Sequence, residues 1–132
     1  MQYCLDTNII IEIIRNNSDV IRRMQELEAQ QVTISTTHIT VCELYKGVFL
    51  AQKQKEPLQL IQEFLKNIEI IEFRESACRI FGEQYAQLKA LGKQTQEFDL
   101  MIASICIAHN AILVTRNKKD FTNIRDLKFQ VW

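Results

Sequence analysis

The sequence predicts an α/β fold: a three-layer sandwich with a mainly parallel central sheet flanked by helices. Three observations lead there. Short apolar runs of strand character alternate with longer segments of helical period along the whole chain. The 132 residues include only 3 Gly and 1 Pro, too few turn formers for an all-β architecture. Ala111-Ile112-Leu113-Val114 is apolar without alternation, as a strand covered on both faces must be. The length suits a single domain over residues 1–132 that buries about two-thirds of its unfolded surface without disulfide support.

Taken in order, Gln2 to Leu5 reads as a first strand that runs into Asp6, and a helix with Ile10, Ile13 and Ile14 on one face follows at once. Asn16-Asn17-Ser18 interrupts the pattern. Ser18 is placed to cap a second helix carrying Val20, Ile21, Met24 and Leu27, with Arg22, Arg23, Glu26 and Glu28 on its solvated side. Val32 to Ser35 is a second strand, and Thr36 or Thr37 caps a third helix running to about Ala51. On that helix Ile39, Glu43, Gly47 and Leu50 share a face, and Gly47 suggests that something packs close to the backbone. Pro57 fits the first position of a fourth helix with Leu58, Ile61, Phe64 and Leu65 inward, and Ile68 to Phe73 alternates like a strand. A fifth helix buries Ala77, Ile80, Phe81, Tyr85, Leu88 and Leu91, and Gly92 ends it. After the polar connector Gly92 to Glu97, the segment Phe98 to Ala108 is apolar nearly all round, so it must be the central, covered helix. Asn110 ends it, the strand Ala111 to Val114 follows, and Leu127 to Val131 alternates like a last edge strand.

Composition excludes several classes. Hydrophobic residues at 47% and charged residues at 24% rule against disorder. Lys+Arg and Asp+Glu number 16 each, so no global positive field draws in nucleic acid, and any polyanion contact needs a local basic patch or bound cations. Cys4, Cys42, Cys78 and Cys106 lie far apart among mostly apolar neighbours, which favours buried free thiols over zinc or disulfides. No signal peptide opens the chain, no run nears the ~18 apolar residues of a membrane span, and a reducing cytoplasm fits. His38 and His109, one near each kind of helix end, are read as structural.

The chemistry resides in acids at element ends. Asp6 stands at the carboxyl end of a strand, where ligands bind in open α/β sheets, although Asp6, Thr7 or Asn8 can equally cap the following helix. Glu43 sits among apolar neighbours, so it is paired or metal-bound, or else leans out toward solvent or Lys46. Asp99 occupies the first turn of the central helix, where the helix dipole favours an anion. Its own face continues through Ile102, Ala103 and Cys106. If the first strand and Ala111–Val114 are parallel neighbours, Asp6, Asn117 and Asp120 meet at one sheet edge. Four unpaired acids there would repel one another, and a hard divalent cation such as Mg²⁺ is the physical remedy. One or two such ions could activate water and hold a scissile phosphate. Arg116, Lys118 and Lys119 flank this place and either hold phosphates or form an ordinary solvated loop.

Leu5-Asp6-Thr7-Asn8, Thr40-x-x-Glu43-Leu44-x-x-Gly47, Asp99-x-x-Ile102-Ala103 and Thr115-x-Asn117-x-x-Asp120-Phe121, closing with Trp132, together resemble the PIN-domain ribonucleases of the VapC toxin type. The resemblance covers essentially the whole chain. It implies a PIN-like sandwich and a Mg²⁺- or Mn²⁺-dependent endoribonuclease toxin that inhibits translation by cutting structured RNA such as tRNA. It also implies a homodimer, a VapB-type antitoxin, and operator DNA bound only through that antitoxin. By motif match Asp6, Glu43, Asp99 and Asp120 form the catalytic set, with Asp6, Glu43 and Asp99 as metal ligands. Thr7, Asn8 and Asn117 are auxiliary. Asn117 stands where some relatives carry an acid, which bears on a second metal site. Two other readings compete: a metal-dependent phosphatase with Asp6 as nucleophile, and a non-catalytic acid-lined module that holds a partner and, with it, DNA.

Overall fold

The computed structural model describes residues 1–132. Its elements follow the chain as β1 Gln2–Leu5, α1 Thr7–Ile14, α2 Ser18–Ala29, β2 Thr33–Thr37, α3 His38–Leu50 and α4 Lys55–Leu65. Then come β3 Glu69–Ile71, α5 Glu75–Ala90, α6 Glu97–Ala108, β4 Ile112–Thr115, α7 Lys118–Phe121 and β5 Lys128–Val131. The five strands lie in the order β3-β2-β1-β4-β5, and every pairing is parallel. The chain first works outward from β1 on one side and then returns to add β4 on the other. The order therefore reverses between β1 and β4, and in open α/β sheets the crevice beyond the carboxyl ends at such a switch is where ligands bind.

Side-chain alternation splits the core into two layers. Tyr3 and Leu5 of β1, with Val114 of β4, pack beneath α1 to α4 beside Ile9, Ile10, Val20, Leu44 and Ile61. Cys4 and Leu113 point the other way, into a layer with Leu88, Leu100, Ile102, Ile105 and Phe121 from α5 to α7. Both sheet faces are covered, which is why Ile112-Leu113-Val114 carries no polar alternation. Within α6 every residue from Ile102 to Cys106 is buried, as its nearly uniform apolarity requires.

Several sequence expectations shift. Asn17, one residue earlier than Ser18, caps α2 by accepting from Asp19 N and Val20 N. Helix α4 begins at Lys55, so Pro57 is its third residue and not its first. The strand expected over Ile68 to Phe73 shortens to Glu69–Ile71. Tyr85 and Leu91 are exposed instead of inward, because α5 shows those turns to solvent. A Cβ at Gly47 would meet nothing within 4 Å, so no close backbone approach explains this glycine.

All four cysteines are free, but only Cys4 and Cys106 are buried; Cys42 and Cys78 sit on outward turns of α3 and α5. A hydrogen bond with Cys4, together with burial, pushes the Cys106 thiol up. His109 meets the Glu72 carbonyl through Nε2 at 2.7 Å, the structural role expected of it. No helix is long and apolar enough to cross a membrane.

Candidate active site at the strand order switch

Each acid reaches the crevice by a local rule. In register, Leu5 pairs with Val114, so the next residues, Asp6 and Thr115, emerge side by side at the sheet edge. Asp6 does cap α1: its Oδ1 accepts from Thr7 N at 2.8 Å. Its Oδ2 accepts from the buried Thr115 hydroxyl at 2.7 Å, so capping and siting coexist in one side chain. The carboxylate is only 3% exposed and has no cationic partner. Desolvation pushes its pKa up, the hydrogen bonds from Thr115 and Thr7 oppose this, and the charges of Glu43 and Asp120 push it up further.

Glu43 lies in the second turn of α3, which Thr37 caps by accepting from Thr40 N at 3.1 Å. It neither leans into solvent nor pairs with Lys46. The Thr7 hydroxyl donates to Glu43 Oε1 at 2.7 Å, and Thr7 Oγ1 also lies 3.3 Å from Thr40 Oγ1. Lys46 instead sits over the Phe98 ring at 5.9 Å from its centroid. Thr7 thus joins the first turn of α1 to α3.

Asp99 projects from the first turn of α6, half-buried. Its pKa is pushed up to about 7 by desolvation first and then by the charges of Asp6, Asp120 and Glu43. Asp120 stands on the four-residue helix α7, an element not expected from sequence. The Thr95 hydroxyl donates to the Asp120 carbonyl at 2.8 Å and ties the α5–α6 connector to α7.

The structure therefore brings Asp6, Glu43, Asp99 and Asp120 within electrostatic reach of one another. Asn8, the second residue of α1, is half-buried, while the Asn117 side chain is exposed and its backbone engages, the N–H donating to Thr115 Oγ1 at 3.0 Å and the carbonyl accepting from Asp120 N at 3.1 Å. Arg116, Lys118 and Lys119 are exposed along the rim and form no ion pair within the protein.

Thr115 and Thr40 are the site residues that sequence reasoning undervalued. Both were visible in the motifs, and Thr115 follows its strand as directly as Asp6 follows β1. The missing signal was the register that places those two ends together.

No three of the molecule's His, Cys, Asp and Glu side chains form a ready-made metal cage. The donor set itself is all oxygen, with mutual repulsion and no cation to offset it. Those properties suit a hard divalent ion and not zinc or copper.

This combination defines a class: an open parallel α/β domain presenting a carboxylate cluster where its strand order switches. The PIN domain model matches residues 3–127, and the chain belongs to that family. It is 36% identical over 132 residues to Ribonuclease VapC2 of Rickettsia felis, covering 100% of this chain and 98% of that protein. It is 29% identical over 132 residues to the tRNA(fMet)-specific endonuclease VapC of Shigella flexneri, with the same coverage. In three dimensions it superimposes with a TM-score of 0.92 and 36% identity on a chain of VapBC2 from Rickettsia felis, crystallised with a DNA fragment from its promoter. That match covers 100% of this chain and 99% of the other.

Proposed function

We propose that this protein is a metal-dependent endoribonuclease, the toxin of a toxin–antitoxin pair, which hydrolyses phosphodiester bonds in RNA. The observation that carries the reading is the convergence of Asp6, Glu43, Asp99 and Asp120 without a compensating cation, with Asp99 raised to about 7. Asp6, Glu43 and Asp99 would hold Mg²⁺ or Mn²⁺, and Asp120 would complete the acidic set. A bound ion would supply Lewis-acid stabilisation of charge on the phosphate and a water of lowered pKa.

The chain's own residues prepare the site. Thr115 and the Thr7 N–H orient the two oxygens of Asp6, and the Thr7 side chain orients Glu43. The phosphatase reading is disfavoured because Asn8 stands two residues after Asp6, where such an enzyme would carry a second Asp. Asn8, two residues after Asp6, would help orient a bound ligand, while Asn117 shapes the loop through its backbone. Arg116, Lys118 and Lys119 would hold flanking RNA phosphates, so binding would weaken with salt.

The Shigella relative's name supports structured RNA such as tRNA as the substrate class. The Rickettsia complex supports a VapB-type antitoxin as partner, with operator DNA reached only through it. An apolar groove of about 510 Å³ between α1, α3 and α4, lined by Ile11, Ile14, Leu44, Val48 and Leu60, gives such a partner a surface to cover. A homodimer and a cytoplasmic setting complete the reading, and the free cysteines accord with the latter.

The test is cleavage of total RNA by the purified chain with Mg²⁺, with Mn²⁺ and with EDTA, beside Asp6→Asn and Asp99→Asn. Discrete fragments that require metal and vanish in both variants are expected. Equal inertness of the folded, metal-loaded wild type and both variants would refute it and favour a non-catalytic partner-binding module.

A further inference from the structure

Beyond the acid cluster, a second cleft of about 370 Å³ opens where α5 passes through the connector into α6. It is lined by Tyr85, Lys89, Lys93, Gln94, Gln96 and Glu97, over an apolar floor of Leu88 and Leu100. We infer that this cleft is a nucleotide subsite that binds the RNA strand next to the scissile phosphate and reads the base there. The inference rests on the ribonuclease reading above and adds where substrate preference is set.

Four features carry it. The first is size: the volume lies at the low end of small-ligand sites and matches one nucleotide better than a folded partner.

The second is built positive charge. Helix α5 ends in a Schellman turn, with Gly92 at φ +68, Lys93 N donating to Leu88 O at 2.9 Å and Gly92 N donating to Lys89 O at 3.1 Å. That turn brings Lys93 back over the last turn of α5, beside Lys89. Neither lysine forms an ion pair within the protein, so both remain available to a phosphate.

The third is the opposite wall. Gln94 and Gln96 offer amides, and Glu97 offers acceptors for a base's amino group; these groups read a base edge and do not hold a phosphate. Tyr85 is 41% exposed and supplies a ring for stacking.

The fourth is position. Gln96 is the residue before α6 and Asp99 lies one turn further in, about 4.5 Å along the helix axis by its rise per residue. The Thr95 hydroxyl fastens this wall to the Asp120 carbonyl. The wall of the cleft and Asp99 are therefore carried by the same first turn of α6, within one turn of each other along its axis.

The experiment measures binding of a random-sequence single-stranded RNA of about 12 nucleotides, within the usual single-strand footprint. Binding is read by fluorescence anisotropy against salt in EDTA, and cut sites are then mapped with Mn²⁺. Lys89→Ala with Lys93→Ala is expected to weaken binding about tenfold and to reduce the slope of log K against log salt by about 1.4, two single-strand phosphate contacts. Restoring both positions as arginine should return the slope. Lys55→Ala with Lys66→Ala, the same charge change at the two ends of α4, should leave it unaltered. Tyr85→Leu should broaden base preference at the one position flanking the cut.

Where the wild type binds and cleaves RNA, unchanged affinity, slope and cut-site preference in the lysine and tyrosine variants would overturn the subsite and leave the nuclease reading standing. Lysine-dependent binding without any cleavage would do the reverse. A wild type that neither binds nor cleaves overturns both.

Discussion

Replacing Asp99 by Asn should stabilise the metal-free protein at alkaline pH while removing its function. Folding moves the Asp99 pKa from an ordinary 3.8 to about 7, because the ionised form is desolvated and faces three other carboxylates. Below pH ~4 both folded and unfolded states carry the proton, and Asp99 contributes nothing to pH dependence. Between ~4 and ~7 the unfolded state releases its proton while the folded state keeps it. Stability therefore falls as pH rises through this window and stays low above it. A shift of about three units corresponds to at most ~4 kcal/mol. Asp99 is only half-buried, so solvent screening reduces this to about 1–2 kcal/mol. Urea unfolding in EDTA at pH 4.5 and pH 8, pHs chosen at about the two ends of that window, should show Asp99→Asn close to wild type at the acid end. At the alkaline end it should be ahead by about 1–2 kcal/mol. Saturating Mn²⁺ should close the gap by stabilising wild type alone. A stability difference independent of pH, or a variant less stable than wild type at pH 8, would refute the electrostatic account of the cluster.

Other consequences follow from single contacts. Thr115→Val keeps the shape but strips the donor from the buried Asp6 Oδ2, so thermal unfolding should show a loss of ~1–3 kcal/mol, and RNA cleavage should fall with it. Gly47→Ala meets open space on an exposed helical turn, so it should raise stability by roughly 0.5–1 kcal/mol in denaturant titrations. Gly92→Ala meets open space too, but its φ of +68 makes the substitution destabilising by ~1 kcal/mol or more, measured the same way. Ile105→Ala, in the fully buried face of α6, should lower stability by ~2–5 kcal/mol and shift the chemical unfolding midpoint accordingly.

The contrast between these glycines shows what a sequence can carry. Gly92 was legible because a helix that must stop and turn back needs a residue tolerant of positive φ, and the polar residues after it mark the stop. Gly47 was misread because a helix interior offers no such local requirement, and only the tertiary neighbours reveal that nothing presses on it. Elements were legible for a similar reason. A strand buried on both faces, like β4, and a helix buried all round, like α6, leave one composition available to them. The two-sided exposure of Leu91 and Tyr85 left no such trace, since an apolar residue on a helix looks the same in sequence whether or not a neighbour covers it.

The acids illustrate the same limit at the site. Each was visible as a carboxylate at an element end, but their convergence depends on register: Leu5 opposite Val114 is what sets Asp6 against Thr115. From that pairing comes the division of labour among the threonines. Thr115 and the Thr7 N–H fix the two oxygens of Asp6, and the Thr7 hydroxyl fixes Glu43, so one threonine links two carboxylates while orienting each. Asp99 has no such hydrogen bond, so desolvation and its three carboxylate neighbours raise its pKa unopposed, whereas Thr115 and Thr7 oppose the rise at Asp6. A divalent ion arriving there would find two oriented carboxylates and one ready to lose its proton, so metal uptake should release protons near neutral pH, in an amount that Asp99→Asn reduces. Calorimetric titration with Mn²⁺ in buffers of different ionisation enthalpy measures that release, and equal proton counts for wild type and variant would place the raised pKa elsewhere.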